Sequence, residues 1–531
     1  MATALLNTFR LAKAGVVFAQ YGVRFVPKGM AVPPVLRVAR ALVAPIGWVS
    51  APFRMGQPKA KRISAALTRL GPSYVKLGQF LATRADVIGP DLARDLAYLQ
   101  DKQPPFSMAL ARASVERELG GKLEDHFAEF GPPVAAASIA QVHKAVVIEN
   151  GVRRDVAVKI LRPNVEKRFQ RDLDSYAFAA RMVDRWVPSA KRLKPLAVVA
   201  NLKRTTDLEM DLRLEAAAIS EIADNIKGDA VKFRVPGIDW KRTQKRVLTT
   251  EWIDGTPIAD VGALKAAGHD TKALGLVVLQ TFLRHAMRDG FFHADMHPGN
   301  LFVDAAGNVV AVDFGIMGRL GMRERRFLAE ILHGLITRDY LRAAEVHFWA
   351  GYVPPHHDVA VFGQAMRAIG EPIHGRTADE ISMADLLGQL FAYTDVFDME
   401  TRPELILLQK SMVIVEGVAR SLDPQLNLWV AAEPIAKAWM EQNLGAMGRL
   451  REAGEGAGEI AKLLGDLPQL MASAEKATTA LGAISTTGIQ LSNETVRKLG
   501  LRNARASWLQ TLALWIGAFS LLALAVKAFI G

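Results

Sequence analysis

At 531 residues the chain has room for two or three domains, half of its residues are apolar, and it contains no cysteine, which excludes disulfides and thiolate metal sites. Its formal charge of +12 sits at the front: thirteen Lys and Arg, and no Asp or Glu, precede Asp86, so the rest of the chain is nearly neutral. A basic front interleaved with apolar runs argues against nucleic acid as the partner.

Residues 1–65 are predicted to be a basic amphipathic helical arm. Apolar runs (Ala14–Ala19, Val32–Leu36, Ala41–Val49) alternate with basic residues and with prolines at 27, 33, 34, 45 and 52, a mixture suited to lying on an anionic membrane surface, with membrane lipids as its partner. An Arg-rich, acid-poor start also fits an organellar transit segment, although its length and the scarcity of Ser weigh against that. Residues 66–125 read as a helical extension. Gly71-Pro72-Ser73 marks a helix start with Ser73 as N-cap. Lys76 and Gln79, three apart, share one face of that helix, and on spacing alone they are a surface pair.

Residues 126–255 change to period two. Val134–Gln141, Val142–Ile148 and Asp155–Leu161 are predicted as three antiparallel strands, with Asn150-Gly151 turning the second into the third. Lys159, in Val156-Ala157-Val158-Lys159, stands where a strand lysine pairs with nucleotide phosphates in protein kinases. The loop that should cover those phosphates, Ala135-Ala136-Ala137-Ser138, has no glycine. Alanine disfavours positive φ, so the backbone is expected to approach a phosphate differently from a glycine loop. A helical insert carries Glu209, Asp211 and Glu215, three candidates for the acidic partner of Lys159. Val247–Trp252 reads as a strand running into a hinge, where the Glu251–Ile253 backbone would meet an adenine edge.

Residues 256–440 form a predicted helical lobe, and within it the helix Leu274–Asp289 leads into FFHADMHPGNLFVDAAGNVVAVDFG, Phe291–Gly315. Phosphoryl transfer from Mg-ATP needs an aspartate to orient or deprotonate the acceptor and oxygen ligands for the metal. Asp295, Asn300 and Asp313 have the spacing of a kinase catalytic Asp, metal-holding Asn and Asp-Phe-Gly. Either motif alone is common; both in order, separated by a hairpin, are a strong signal. His293 reads as the structural His of such a loop and His297 as packing before Pro298. Residues 441–507 are a helical linker, and 508–531 a membrane anchor: Trp508–Val526 is nineteen residues without a charge, long enough to span a bilayer. Arg497, Lys498, Arg502 and Arg505 before it keep the main body on the cytoplasmic side. The expected fold class is α+β: a protein-kinase-like two-lobed fold with a small antiparallel β lobe, a helical large lobe, an N-terminal helical extension and a C-terminal transmembrane helix.

Across roughly residues 65–430 these features resemble the UbiB family of atypical protein-kinase-like proteins. The motifs are Lys76-Leu77-Gly78-Gln79, the alanine loop Ala135–Ser138, Glu209-Met210-Asp211 with Glu215 beyond it, and His-x-Asp-x-His-Pro-Gly-Asn at His293–Asn300. The resemblance implies that the Lys76–Gln79 helix folds over the active site with Lys76 near Glu209 and occludes a protein substrate. It further implies ATP and Mg2+ as cofactors, with ATP hydrolysis rather than protein phosphorylation. The implied role is in ubiquinone or related isoprenoid quinone biosynthesis, with isoprenoid quinone precursors and other enzymes of that synthesis as partners, at the bacterial inner membrane or alternatively the mitochondrial one. Asp313 and Asn300 would hold magnesium, Lys159 the α and β phosphates, and Asp295 a water or acceptor. Two other readings stay open: a small-molecule or lipid kinase, because aminoglycoside-type phosphotransferases share the His-x-Asp loop, and a nucleotide-gated lipid-binding scaffold with negligible turnover. Bacterial members of the family often end in two transmembrane segments, whereas one span is legible here.

Overall fold

The computed structural model describes residues 2–23, 59–82, 103–186, 194–371 and 403–444, with scattered residues between 88 and 99 and between 393 and 399. The 508–531 anchor and almost all of the 441–507 linker lie outside the described residues. Among the described residues no helix is long and apolar enough to cross a membrane.

Three helices come first: α1 (Ala2–Gln20), α2 (Lys59–Leu70) and α3 (Pro72–Ala82). The boundary expected after residue 65 therefore falls inside α2. Gly71 joins α2 to α3 at φ +110°, so the corner needs glycine on conformational grounds. Ser73 does not cap α3. Its hydroxyl donates to the carboxylate of Asp172 on a later helix.

The helix α4 (Met108–Leu119) precedes three strands, β1 (Glu129–Ala136), β2 (Ala140–Glu149) and β3 (Val152–Leu161). Asn150 and Gly151 both have positive φ, 52° and 77°, as the tight turn between β2 and β3 requires. The turn between β1 and β2 falls at Ala137–Ile139, not after Gln141 as expected; Gln141 belongs to β2 and pairs with Ile160. Three insert helices follow, α5 (Val165–Trp186), α6 (Pro195–Glu209) and α7 (Leu212–Asn225), then the short β4 (Phe233–Arg234) and β5 (Val247–Glu251). The small-lobe sheet has the order β1-β2-β3-β5. Its buried face (Ala145, Val147, Val156, Val158, Val247) packs on Ala111 and Val115 of α4. The small lobe thus begins before residue 126, because Ala111 and Val115 of α4 are part of its core. The first three helices instead share a core with the insert: Ala14, Leu67, Tyr74 and Val75 pack against Leu173, Tyr176 and Leu202.

The large lobe contains β6 (Gly255–Pro257), α8 (Val261–Ala266), α9 (Thr271–Arg284), β7 (Phe291–His293), β8 (Leu301–Asp304), β9 (Val309–Ala311) and β10 (Met317–Arg319). Helices α10 (Met322–Ile336), α11 (Tyr340–Trp349), α12 (Val359–Gly370), α13 (Pro403–Leu422) and α14 (Leu428–Leu444) complete it. The predicted hairpin is β8–β9, flanked by β6 and by β4, which pairs parallel to β9; β7 pairs with β10. Glycine 275 lets α9 approach α13 closely, since a Cβ there would sit 2.9 Å from the Ala419 carbonyl oxygen. The buried Ser411 hydroxyl on α13 donates to the Ala294 carbonyl at 3.1 Å. That bond fastens α13 behind the loop that carries Asp295.

Candidate active site

β7 delivers His293 into the interior, where its ring packs on Phe314 at 5.0 Å between centroids. Burial pushes the imidazole down from its ordinary range, so it is a neutral group, and its Nδ1 accepts the Asp295 backbone N–H at 3.1 Å. The Asn300 amide donates to the Asp295 backbone carbonyl at 3.0 Å, and Val312 N–H donates to the Asn300 carbonyl at 3.0 Å. These bonds fix the loop and tie it to the strand leading to Asp313. They also leave two oxygen-bearing groups without a contact among the described residues: the Asn300 side-chain oxygen and the Asp295 carboxylate. His297 does not pack as expected. It is exposed, and its Nδ1 accepts the Gly299 N–H at 3.2 Å, capping the single turn Pro298–Asn300.

Of the three acids that could have partnered Lys159, the fold selects Glu215. The Lys159 ammonium donates to both Glu215 oxygens, at 2.7 and 2.9 Å, and to Asp313 Oδ1 at 3.1 Å. Glu209 and Asp211 are elsewhere because the helical path breaks between them: α6 ends at Glu209, and α7 restarts at Leu212 with Asp211 as its N-cap. Asp211 accepts from the Arg213 backbone and guanidinium, which holds it below the usual carboxylate range. Burial alone would depress the Lys159 ammonium, but Asp313 and Glu215 outweigh it and hold the amine above the lysine range. Burial likewise works to raise Asp313, yet Lys159 and the Gly315 N–H keep it well below the carboxylate range. Glu215 goes the other way: burial and the neighbouring Asp313 overcome Lys159 and push it up to about 7.

This opposition gives a pH signature. Because the Glu215 value in the folded chain exceeds the ordinary 4.5, its protonation stabilises the folded state fully below about 4.5, and that contribution is lost as pH rises towards 7. Function runs in the opposite sense. With Glu215 protonated, Asp313 is the only anion on Lys159, and the ammonium competes with any metal for that carboxylate. The specificity constant kcat/KM for Mg-ATP, which reports the free enzyme, is expected to rise through an apparent pKa near 7, and Glu215→Gln to remove that limb. A wild-type profile flat between pH 5.5 and 8 would contradict the assignment.

The alanine loop closes without help from glycine. None of Ala135, Ala136, Ala137 or Ser138 has positive φ. Ser138 is buried, and Ala137 N–H donates to the Ala140 carbonyl at 2.8 Å. Arg162, which the sequence did not single out, braces it from β3: its side chain donates to the Ala137 carbonyl at 2.9 Å and to Pro104 at 2.8 Å. At the hinge, the Glu251 N–H donates to Gly237 and the Trp252 N–H to Asp155. The Ile253 N–H has no partner among the described residues. The Glu251 carboxylate pairs with Arg234 at 3.1 Å.

Lys76 on α3 pairs with Glu209 at 2.6 Å, with side chains only 11% and 7% exposed. The Gln79 side-chain oxygen is buried with no hydrogen-bond partner. One further residue joins this group, Lys410 on α13. Burial pushes its amine down; the opposing charge acting on it is Asp295, and the like charge is Lys76. Lys410 thus lies within the electrostatic reach of both the catalytic loop and α3. Nothing local in the sequence marks it, since it lies more than a hundred residues beyond Asp295.

Comparison with known proteins places the chain among relatives. Residues 98–347 match the ABC1 atypical kinase-like domain, and residues 366–427 match the UbiB helical domain. "Probable protein kinase UbiB" of Marinobacter nauticus is 41% identical over 403 residues, 74% of this chain and 73% of that protein. The protein of the same name from Xanthomonas oryzae pv. oryzae is 37% identical over 473 residues, 87% and 84% of the two chains. Among solved structures, a Mycobacterium tuberculosis protein in complex with erythromycin aligns at 23% identity and TM-score 0.46, covering 76% of this chain and 99% of that one.

Proposed function

The chain belongs to the UbiB family of ABC1 atypical kinase-like proteins, and on that footing we propose that it hydrolyses Mg-ATP in support of ubiquinone or related isoprenoid quinone biosynthesis at a membrane surface. The observation that carries the reading is Lys159 held between Glu215 and Asp313; the buried Lys76–Glu209 pair supports a covered cleft.

The residues present suit magnesium, a hard cation that takes oxygen ligands. Asp313 stays ionised, with one oxygen engaged by Lys159 and Gly315. Asn300 ties down its amide nitrogen and keeps its oxygen available. Magnesium, when bound, would neutralise phosphate charge. In this mechanism Lys159 holds the α and β phosphates, the braced alanine loop lies over them, and the Ile253 N–H meets the adenine edge. Asp295 orients a water whose oxygen bonds to the γ-phosphorus as the bond from that phosphorus to the β–γ bridging oxygen breaks. The water proton passes to Asp295, and ADP and phosphate leave. Because catalysis of this kind is positioning plus electrostatics, a covered cleft that admits water but not a polypeptide hydroxyl directs transfer towards hydrolysis.

The membrane part of the proposal is supported by α1. Leu6 and Phe9 are 53% and 71% exposed, and with Lys13 they follow one helical stripe in an acid-free basic segment. The intended address is the cytoplasmic face of the bacterial inner membrane. The test is release of phosphate and ADP by the purified full chain with Mg-ATP, alone and with vesicles of zwitterionic or anionic phospholipid. Equal amounts of ADP and phosphate, stimulated several-fold by anionic vesicles, are expected. ADP in excess of phosphate, with a phosphorylated lipid, would replace hydrolysis by a lipid-kinase reaction. Bound nucleotide with no turnover in any condition would leave only the scaffold.

A further inference from the structure

We infer that Lys410, from the helical region behind the catalytic loop, is the cation that receives the terminal phosphate of the bound nucleotide. The inference rests on the nucleotide-binding reading above.

A triphosphate brings its greatest charge density to the phosphoryl group that is transferred, and a site that acts on it needs fixed positive charge there. The catalytic loop itself has none: His293-Ala-Asp-Met-His-Pro-Gly-Asn300 contains no Lys or Arg, and His293 is buried and neutral. The charge has to come from another element. Three lysines reach this region. Lys76 is matched by Glu209 at 2.6 Å, and Lys159 by Glu215 at 2.7 Å and Asp313 at 3.1 Å. Lys410 has no carboxylate in contact among the described residues, yet it is partly buried and burial pushes its amine down. An ammonium buried without a contacting anion is costly, and the arrangement is relieved when an anion arrives.

The position of Lys410 says which anion. Ser411, the next residue, hydrogen-bonds to the carbonyl of Ala294 at 3.1 Å, and Ala294 directly precedes Asp295. The helix is therefore pinned in register with the residue that orients the attacking group, and Asp295 is the carboxylate whose field Lys410 feels. Lys159 is held on β3 by Glu215 and Asp313. A triphosphate lying between Lys159 and Asp295 puts its diphosphate part on Lys159 and its terminal phosphate on Lys410. Proximity of Lys76 to Lys410 adds a second reason for an anion at that point, because it separates two like charges.

The experiment compares binding of Mg-ADP and of a non-hydrolysable Mg-ATP analogue to the full chain, for wild type, Lys410→Met and Lys410→Arg, with melting temperatures for each. Lys410→Met should weaken the triphosphate analogue by about tenfold or more, the scale of a charged hydrogen bond, leave ADP within about twofold, and leave the melting temperature unchanged or raised. Lys410→Arg should recover most of the difference. If Lys410→Met does not fold, Lys410→Gln serves for the same comparison. Equal weakening of both nucleotides, or of neither, overturns the assignment while leaving the nucleotide site standing. Wild-type protein that binds neither nucleotide overturns both.

Discussion

Asp313→Asn is expected to lower magnesium-dependent nucleotide turnover by at least about 10³-fold while shifting the melting temperature by no more than about 2 °C. The two halves of that expectation have separate causes. Lys159 sits between two carboxylates, so with Glu215 ionised the cluster carries one more negative than positive charge. The substitution removes the surplus. Asn keeps an oxygen that can accept the Gly315 N–H and the Lys159 ammonium. It also takes away the Asp313 charge that works to raise Glu215, so Glu215 ionises more readily and holds Lys159 alone. The fold therefore loses little. A metal, in contrast, loses its only anionic ligand from the Asp-Phe-Gly segment, and Asn300 with water cannot replace it. Phosphate release and calorimetry on the same preparation test this. A collapsed melt, or turnover within tenfold of wild type, would remove Asp313 from its assigned place.

The second large effect concerns the cover. Lys76→Ala takes from the buried Glu209 the cation 2.6 Å away, and breaking a buried pair from one side costs about 3–5 kcal/mol. The loss should appear as undocking of α3 rather than as global unfolding. The small-lobe core of α4 and the sheet does not include it. Amide exchange in α3 should quicken by two orders of magnitude or more, while that of β2 and β3 stays as it was. The double variant Lys76→Met/Glu209→Leu should return α3 near wild-type protection, because an apolar pair of similar volume carries no stranded charge. Unchanged α3 exchange in Lys76→Ala would mean the helix is held by its apolar core alone, through Leu67, Tyr74 and Val75.

What could be read in the chain beforehand was what is local. The Asn150-Gly151 turn, the Lys159 strand, and the spacing of Asp295, Asn300 and Asp313 each depend on a few neighbouring residues, and the structure realises all of them as a hairpin, a strand and a looped site. The choice among Glu209, Asp211 and Glu215 could not be read. It depends on the helix break at Met210–Asp211, which turns Glu209 towards α3 and leaves Glu215 facing β3. The assignment of α4 to the extension failed for a similar reason: an amphipathic helix does not declare which sheet its apolar stripe will cover, and Ala111 and Val115 cover the small lobe. Lys410 was invisible because its meaning comes from Ser411 meeting Ala294 across the fold. His297 is the reverse case, a conspicuous residue that serves only to cap a turn.

The fastening of α3 to Glu209 has a consequence for who can compete for the cleft. A segment carried by the same chain meets its docking site at an effective concentration on the order of millimolar. A protein offered as substrate at micromolar concentration would need roughly a thousandfold tighter grip merely to draw level. Dilution, dialysis and partner abundance therefore cannot open the site; only something that acts on the docked segment can. Because α1 and α3 share one core with α5 and α6, whatever displaces α1 from that core also loosens the seat of α3.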